Sequence, residues 1–112
     1  MKLVTAIIRP GKLYEVMNAV TDAGARGLTA TEASGFGQQY GHVRKTGTAG
    51  RTPVLLPKAR VDIVVRDEDA DAVMNALVKC VSTGTIGDGK IWVSSIDSVV
   101  RARTGERDHD AV

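Results

Sequence analysis

The chain has 112 residues, of which 43% are hydrophobic and 25% charged, and its formal net charge at pH 7 is +2. This length predicts a single domain over 1–112, and so small a charge excludes bulk attraction to nucleic acid. The single cysteine, Cys80, rules out an internal disulfide and favours a reducing compartment. The N-terminal apolar run over 3–8 is too short for a signal peptide or a membrane span, so we expect a cytoplasmic protein without membrane insertion.

The predicted elements follow the order strand, helix, strand, then a long break, then strand, helix, strand. Short β-branched runs predict the strands and apolar residues at helical spacing predict the helices. The strands cover 3–8, 28–34, 60–66 and 90–96, and the helices begin at Leu13 and Ala70. Two such halves predict an α+β, ferredoxin-like βαββαβ sandwich, with both helices on one face of an antiparallel sheet.

The predicted strands are apolar on both faces. In the first strand Leu3 and Ile7 alternate with Val4, and in the third strand Val64 lies opposite the main apolar row. A sheet face that contacts solvent normally carries polar residues. The second face is therefore predicted to be covered by another subunit. The alternative is that the C-terminal tail folds back over this face.

The long break over 36–57 is predicted to be an effector loop. The stretch from Gly35 to Lys58 has no convincing strand or helix, and it contains five of the 12 glycines of the chain. No Asp or Glu occurs between Glu32 and Asp62, whereas several Lys and Arg residues do. A positive loop of this length suits an anionic ligand or a partner surface, and a disordered surface insertion is the alternative.

A second glycine cluster, over 83–90, is a candidate phosphate loop. Gly84, Gly89 and Lys90 satisfy the G-x-x-x-x-G-K part of a Walker A loop, but Ile91 follows instead of Ser or Thr. The cluster also leads from a helix into a strand, the reverse of a Walker loop, so we reject that reading. Backbone N–H groups at glycines can still cradle an anion; the alternative is a turn that binds nothing.

The C-terminal loop and tail, 101–112, add a third basic element. On an extended segment the side chains of Arg101 and Arg103 would point the same way and could grip one polyphosphate. A solvated charged tail is the alternative. Three elements suited to anions in one small chain favour a nucleotide ligand.

The motifs together resemble the PII signal-transduction family over essentially the whole chain. They are G-F-G with Gln39 and Gly41-His42, Leu56-Pro57-Lys58, the run from Ile86 to Ile91, and the run from Arg101 to Glu106. The resemblance implies a ferredoxin-like homotrimer, a non-enzymatic sensor of ATP and ADP that regulates a partner, with the nucleotide between subunits. A slow ATPase, a sensor of another small anion such as bicarbonate, and a plain trimeric scaffold are the alternatives.

The resemblance also implies residue roles. From one subunit the nucleotide contacts are Ile7 and Val64 at the adenine, Asp62 as a polar contact, Gly87, Gly89 and Lys90 at the phosphates, and Gly35, Gly37, Gln38, Gln39 and Asp88. From the neighbouring subunit they are Gly27, Leu28 and Thr29 around base and ribose, and Arg101 and Arg103 at the phosphates. Gln39 is also the expected contact of Mg²⁺ with ATP, and Lys58 the partner of a candidate further ligand, 2-oxoglutarate.

The effector loop departs from the family pattern. Gln38 replaces an arginine, and Arg51 stands where many members carry a tyrosine that is uridylylated. The partner-binding residues are predicted to be Tyr40, His42, Arg44, Lys45 and Arg51. By analogy with the family, the expected partner is a membrane transporter or a metabolic enzyme.

Overall fold

The computed structural model describes residues 1–37, 44–46, 50–52 and 54–112, and for the two short ranges only the backbone pairing. The strands are β1 (Lys2–Ile8), β2 (Thr29–Gly35), β3 (Arg44–Thr46), β4 (Gly50–Thr52), β5 (Leu56–Val65) and β6 (Lys90–Ser95), and the helices are α1 (Leu13–Asp22) and α2 (Ala70–Val81). Among the described residues, no helix has both the length and the apolarity needed to cross a membrane.

The main sheet has four strands in the order β2-β5-β1-β6, and all neighbours are antiparallel. This order confirms the predicted ferredoxin-like fold, because the first strand of each half lies at the centre and the second at an edge. One face of the sheet packs against α1 and α2. The buried core consists of Val4, Ala6, Ile8, Val16, Val20, Ala25, Ala59, Val61, Ile63, Val65, Ala70, Val73, Leu77 and Val81.

Local sequence sets the limits of both helices. A 3-10 turn at Pro10–Lys12 leads into α1, and the chain leaves α1 through Gly24, whose φ of 112° suits glycine. A second 3-10 turn, Asp67–Asp69, leads into α2 and places negative charge at the helix N-terminus. Asp67 also accepts a hydrogen bond of 2.6 Å from the N-terminal amine, which holds the pKa of Asp67 below its usual value.

The second sheet face is only partly covered within one chain. Val64 is 37% exposed and Trp92 is 41% exposed. One contact of the tail lies directly after β5, where the Nη2 of Arg66 donates to the carbonyl oxygen of His109 at 2.9 Å. The exposure of Val64 and Trp92 leaves apolar surface on this face, and burial of the face by another subunit stays a prediction.

The prediction that 35–58 lacks regular structure is wrong at both ends and within. Gly35 ends β2, and β5 begins at Leu56, earlier than the predicted strand over 60–66. Among the described strands, β5 pairs with β2 alone beyond the Ile8–Ala59 pair, and this one-sided position tolerates Pro57. Within the break, β3 and β4 pair as a short antiparallel hairpin.

The prediction that residues 101–103 are extended is also wrong. Residues 102–104 form a turn, and Val100 pairs with Arg107 across it. The turn is closed by two backbone hydrogen bonds, from Arg101 to the oxygen of Glu106 (2.9 Å) and from Gly105 to the oxygen of Arg101 (2.8 Å). Gly105 permits this path because it adopts a φ of 74°.

Candidate functional site

A cavity of about 470 Å³ lies where β1 ends and β6 begins, at the junction of the two glycine-rich segments. Its volume is within the usual range for small-molecule sites. It is lined by Ile7, Gly35, Phe36, Gly37, Lys58, Thr85, Ile86, Gly87, Asp88, Gly89, Lys90 and Trp92. The fold thus brings the predicted phosphate loop, Lys58 and Ile7 together in one site.

Asp88 organises the phosphate loop from within. Its carboxylate accepts hydrogen bonds from the backbone N–H of Thr83 (2.7 Å) and of Gly84 (3.0 Å), and from the hydroxyl of Thr83 (2.5 Å). These bonds, with a further one from Arg9, hold the pKa of Asp88 far below its usual range, the Thr83 hydroxyl contributing most. The carboxylate of Asp88 is thus bound by Thr83, Gly84 and Arg9, and its predicted contact with a nucleotide stays a prediction.

The remaining polar groups of the loop are arranged as an anion acceptor. The carbonyl oxygens of Ile86 and Gly87 already accept hydrogen bonds, from Arg9 at 3.1 Å and from Lys58 at 3.5 Å. Within the described part of the chain, no hydrogen bond uses the backbone N–H of Ile86, Gly87 or Gly89. The two carbonyl acceptors are thus bound by cationic side chains, while the three N–H donors are available to a ligand. This arrangement makes the loop suited to negative charge.

Gly89 is required where the loop joins β6. Its φ is 104°, and a Cβ atom built there would lie 1.7 Å from the carbonyl oxygen of Ile7. Only glycine allows the loop backbone to approach β1 this closely. The approach carries the loop directly over Ile7, whose side chain lines the cavity.

Lys58 and Lys90 supply positive charge at the cavity. Lys90 is the register partner of Ile7 across β1 and β6, and Lys58 reaches the loop from β5. No ion pair to Lys58 or Lys90 is found among the described residues. Asp88, the one carboxylate among the described lining residues, is paired with Arg9, so the charge of this part of the cavity is positive.

Asp62 is bound within its own chain. The hydroxyl of Thr5 donates to Asp62 Oδ1 at 2.8 Å, and Arg60 Nε donates to Oδ2 at 3.1 Å. The Arg60 hydrogen bond is the main reason why the pKa of Asp62 lies below its usual value. Asp62 and Val64 share the second sheet face with Ile7 but lie outside the cavity lining.

The other predicted site residues fall into two groups. One group does not line the cavity of its own chain, and its assignment to a neighbouring subunit stays a prediction: Gly27, Leu28, Thr29, Arg101 and Arg103. Gln38, Gln39, Tyr40 and His42 lie outside the described residues, as do the side chains of Arg44, Lys45 and Arg51.

Sequence analysis missed several site residues. Arg9 was not selected because the sequence Arg9-Pro10-Gly11 is typical of a turn. Trp92 was not selected because its position predicted only that it lies on one face of a strand. Thr85, Ile86 and Phe36 adjoin the predicted motifs and also line the cavity. For Thr85, Ile86 and Phe36, proximity to the two glycine clusters was the only signal in the sequence that could have identified them.

The fold and cavity define a small ferredoxin-like protein whose glycine-rich loop over 83–90 is suited to an anion. Comparison with known proteins makes the class specific: the family model "Nitrogen regulatory protein P-II" matches residues 1–106. The chain belongs to this P-II family.

Individual relatives match along the full chain. It is 47% identical over 112 residues to the nitrogen regulatory protein P-II of Rhizobium meliloti (strain 1021), covering all of both chains. It is 50% identical to the nitrogen regulatory protein P-II 2 of Methanothermobacter thermautotrophicus, covering 100% of this chain and 97% of that one. It is 45% identical to the nitrogen regulatory protein GlnK of Escherichia coli (strain K12), again over the whole of both.

These matches confirm the predicted family, and with it the prediction that the chain is a signalling regulator and not an enzyme.

Proposed function

We propose that this P-II protein is a cytoplasmic homotrimer that senses ATP and ADP at the phosphate loop and passes the nucleotide state to a protein partner through its long loop. The observation that supports this proposal is that the N–H groups of Ile86, Gly87 and Gly89 have no hydrogen bond in the described part of the chain. They lie at a cavity that is also lined by Lys58 and Lys90. Phosphate oxygens are acceptors that match both kinds of group.

Apolar and polar parts of the cavity suit different parts of a nucleotide. Ile7 and Trp92 contribute apolar wall, which favours a base, whereas the loop amides and lysines favour phosphate. The chain would stabilise the negative charge of the bound phosphates and would not catalyse a reaction of the nucleotide.

Titration calorimetry tests the nucleotide site. We expect ADP to bind saturably, about one per chain, and ATP to displace it because both would use the same loop. Absence of ADP binding at millimolar concentration would refute the proposal and favour a sensor of another small anion such as bicarbonate, or a plain scaffold.

The trimer would complete the site. Arg101 and Arg103 lie outside the cavity of their own chain, and the half-exposed apolar face with Val64 and Trp92 offers a surface for a neighbour. We expect light scattering to give a mass about three times the 11.9 kDa of one chain. A monomer mass at micromolar concentration would contradict the shared site.

Glu106 is expected to compete with phosphate for Arg101. The Arg101 Nη1 lies 2.9 Å from Glu106 Oε1, in a pair that is partly exposed on both sides. Exposed pairs of this kind contribute up to about 1 kcal/mol, so Glu106→Gln should tighten ADP binding by up to about fivefold. Weaker binding of ADP by this variant would instead show that Glu106 orients Arg101 for the ligand.

Binding of 2-oxoglutarate is expected to require ATP. Lys58 would pair with a carboxylate, and Mg²⁺ would need ATP and Gln39, since no three His, Cys, Asp or Glu side chains in the described residues could hold a metal. We expect 2-oxoglutarate to bind with Mg²⁺ and ATP, and not with Mg²⁺ and ADP, which lacks the γ-phosphate. By linkage, 2-oxoglutarate should tighten ATP binding by the same factor by which ATP tightens 2-oxoglutarate binding. Equal binding with ATP, with ADP and without nucleotide would contradict this coupling.

The partner is proposed to be a membrane transporter or a metabolic enzyme that reads the effector loop. The loop is positive and, with Arg51 in place of the modified tyrosine of many members, differs from the familiar regulators. Affinity purification from native cells with ATP in one arm and ADP in the other tests this, and we expect retention of the partner to differ between the arms. Equal retention would contradict a nucleotide-dependent interaction.

A further inference from the structure

Arg9, directly after β1, contacts the phosphate loop at three residues although it does not line the cavity. Its Nη1 lies 2.5 Å from Asp88 Oδ1. Its Nη2 donates to the hydroxyl of Thr85 at 3.3 Å and to the carbonyl oxygen of Ile86 at 3.1 Å. The two nitrogens of one guanidinium therefore bind both the side-chain organiser of the loop and its backbone.

We infer that Arg9 is a positioning residue, which fixes the phosphate loop in its anion-accepting shape without touching the ligand. This inference deepens the proposed nucleotide site and rests on it for its effect on affinity.

The geometry of the peptide bond explains how Arg9 would act. No cis peptide bond occurs in the described chain, and in a planar trans peptide the C=O and the following N–H point in opposite directions. Because Arg9 binds the carbonyl oxygen of Ile86, the N–H of Gly87 must point away from Arg9. One of the three N–H groups without a hydrogen bond in the described chain is thereby oriented by a residue that does not line the cavity.

The link to Asp88 extends this control to the start of the loop. Asp88 accepts the N–H groups of Thr83 and Gly84, so Arg9 also anchors the segment that leaves α2. An arginine can bind Asp88 and Ile86 at once because its donors form a rigid planar fork, whereas a lysine presents a single ammonium. If Arg9 supplied only positive charge, lysine would serve equally well.

The test compares Arg9→Lys and Arg9→Met with Lys12→Met, a control that removes the same charge from a residue paired with Glu15 and not with the loop. We expect Arg9→Met to weaken ADP binding roughly tenfold or more, Arg9→Lys to recover only part of this loss, and Lys12→Met to stay within about twofold. Full recovery by Arg9→Lys, or equal effects of Arg9→Met and Lys12→Met, would overturn the inference.

A nucleotide-free readout separates this inference from the proposed function. In the apo protein, Arg9→Met should speed amide hydrogen exchange at Thr83 and Gly84, which bond to Asp88, without changing exchange in the β1–β5 ladder. Adding Asp88→Asn to Arg9→Met should weaken ADP binding no further than the more severe single variant, because the two residues act as one unit. Unchanged exchange at Thr83 and Gly84 would refute positioning even if the wild type binds ADP; wild-type failure to bind ADP would refute the nucleotide site instead.

Discussion

Lys90→Ala and Arg103→Ala are each expected to weaken ADP binding by about 10- to 150-fold. Loss of a hydrogen bond to a charged group typically costs about 1.5–3 kcal/mol, which corresponds to that range. Lys90 lines the cavity without an ion-pair partner among the described residues, and Arg103 is assigned to the site of a neighbouring subunit. Titration calorimetry of each variant with ADP gives the change in affinity.

Lys2→Ala is the matched control for Lys90→Ala. Lys2 pairs in register with Ser95 at the far end of the same two strands on which Lys90 pairs with Ile7. The Lys2→Ala variant loses the same charge without a change in the cavity lining, so its affinity for ADP should stay within about twofold of wild type. If Lys90→Ala and Arg103→Ala also stayed within twofold, the phosphates would have to bind elsewhere.

Gly89→Ala is expected to lower the free energy of unfolding by roughly 2–5 kcal/mol and to weaken ADP binding at least tenfold. The new methyl group would lie 1.7 Å from the carbonyl oxygen of Ile7, and it would impose a φ of 104° on a residue that has a Cβ. Overpacking costs about 1–3 kcal/mol, and a left-handed backbone conformation adds about 1–2 kcal/mol. Denaturant unfolding measures the loss of stability.

Gly84→Ala separates the two causes. Gly84 also has a positive φ, 79°, but a Cβ there would meet no atom within 4 Å. Its variant should therefore lose only the conformational part, about 1–2 kcal/mol. If Gly89→Ala and Gly84→Ala were equally stable, the close approach of the loop to β1 would play no part in stability.

The core and the order of elements could be predicted from local patterns. Alternation in β1 and β5 and helical spacing in α1 and α2 point to the same buried face, which the structure confirms. The early start of β5 could not be predicted, because Pro57 signals a break unless the one-sided pairing with β2 is known. The turn at 102–104 depends on Gly105 and on bonds between Arg101 and Glu106, which the basic pattern of that segment does not reveal.

The candidate site was predictable where glycines and lysines lie close in sequence, and not where folding brings distant residues together. Arg9 and Asp88 are 79 positions apart, and only the antiparallel pairing of β1 with β6 makes them neighbours. The assignment of Arg101 and Arg103 to another subunit came from the family resemblance. No pattern within one chain could supply it, because the site would be completed by a second copy.

Mixed trimers give the most direct test of a nucleotide site shared between subunits. Lys90→Ala and Arg103→Ala chains would be unfolded together in equal amounts, refolded, and titrated with ADP. With random assembly, about a quarter of the sites combine an intact Lys90 from one chain with an intact Arg103 from the next. We predict that about this fraction binds ADP with near wild-type affinity; no recovered sites, in mixtures that form trimers, would contradict a site built from two subunits.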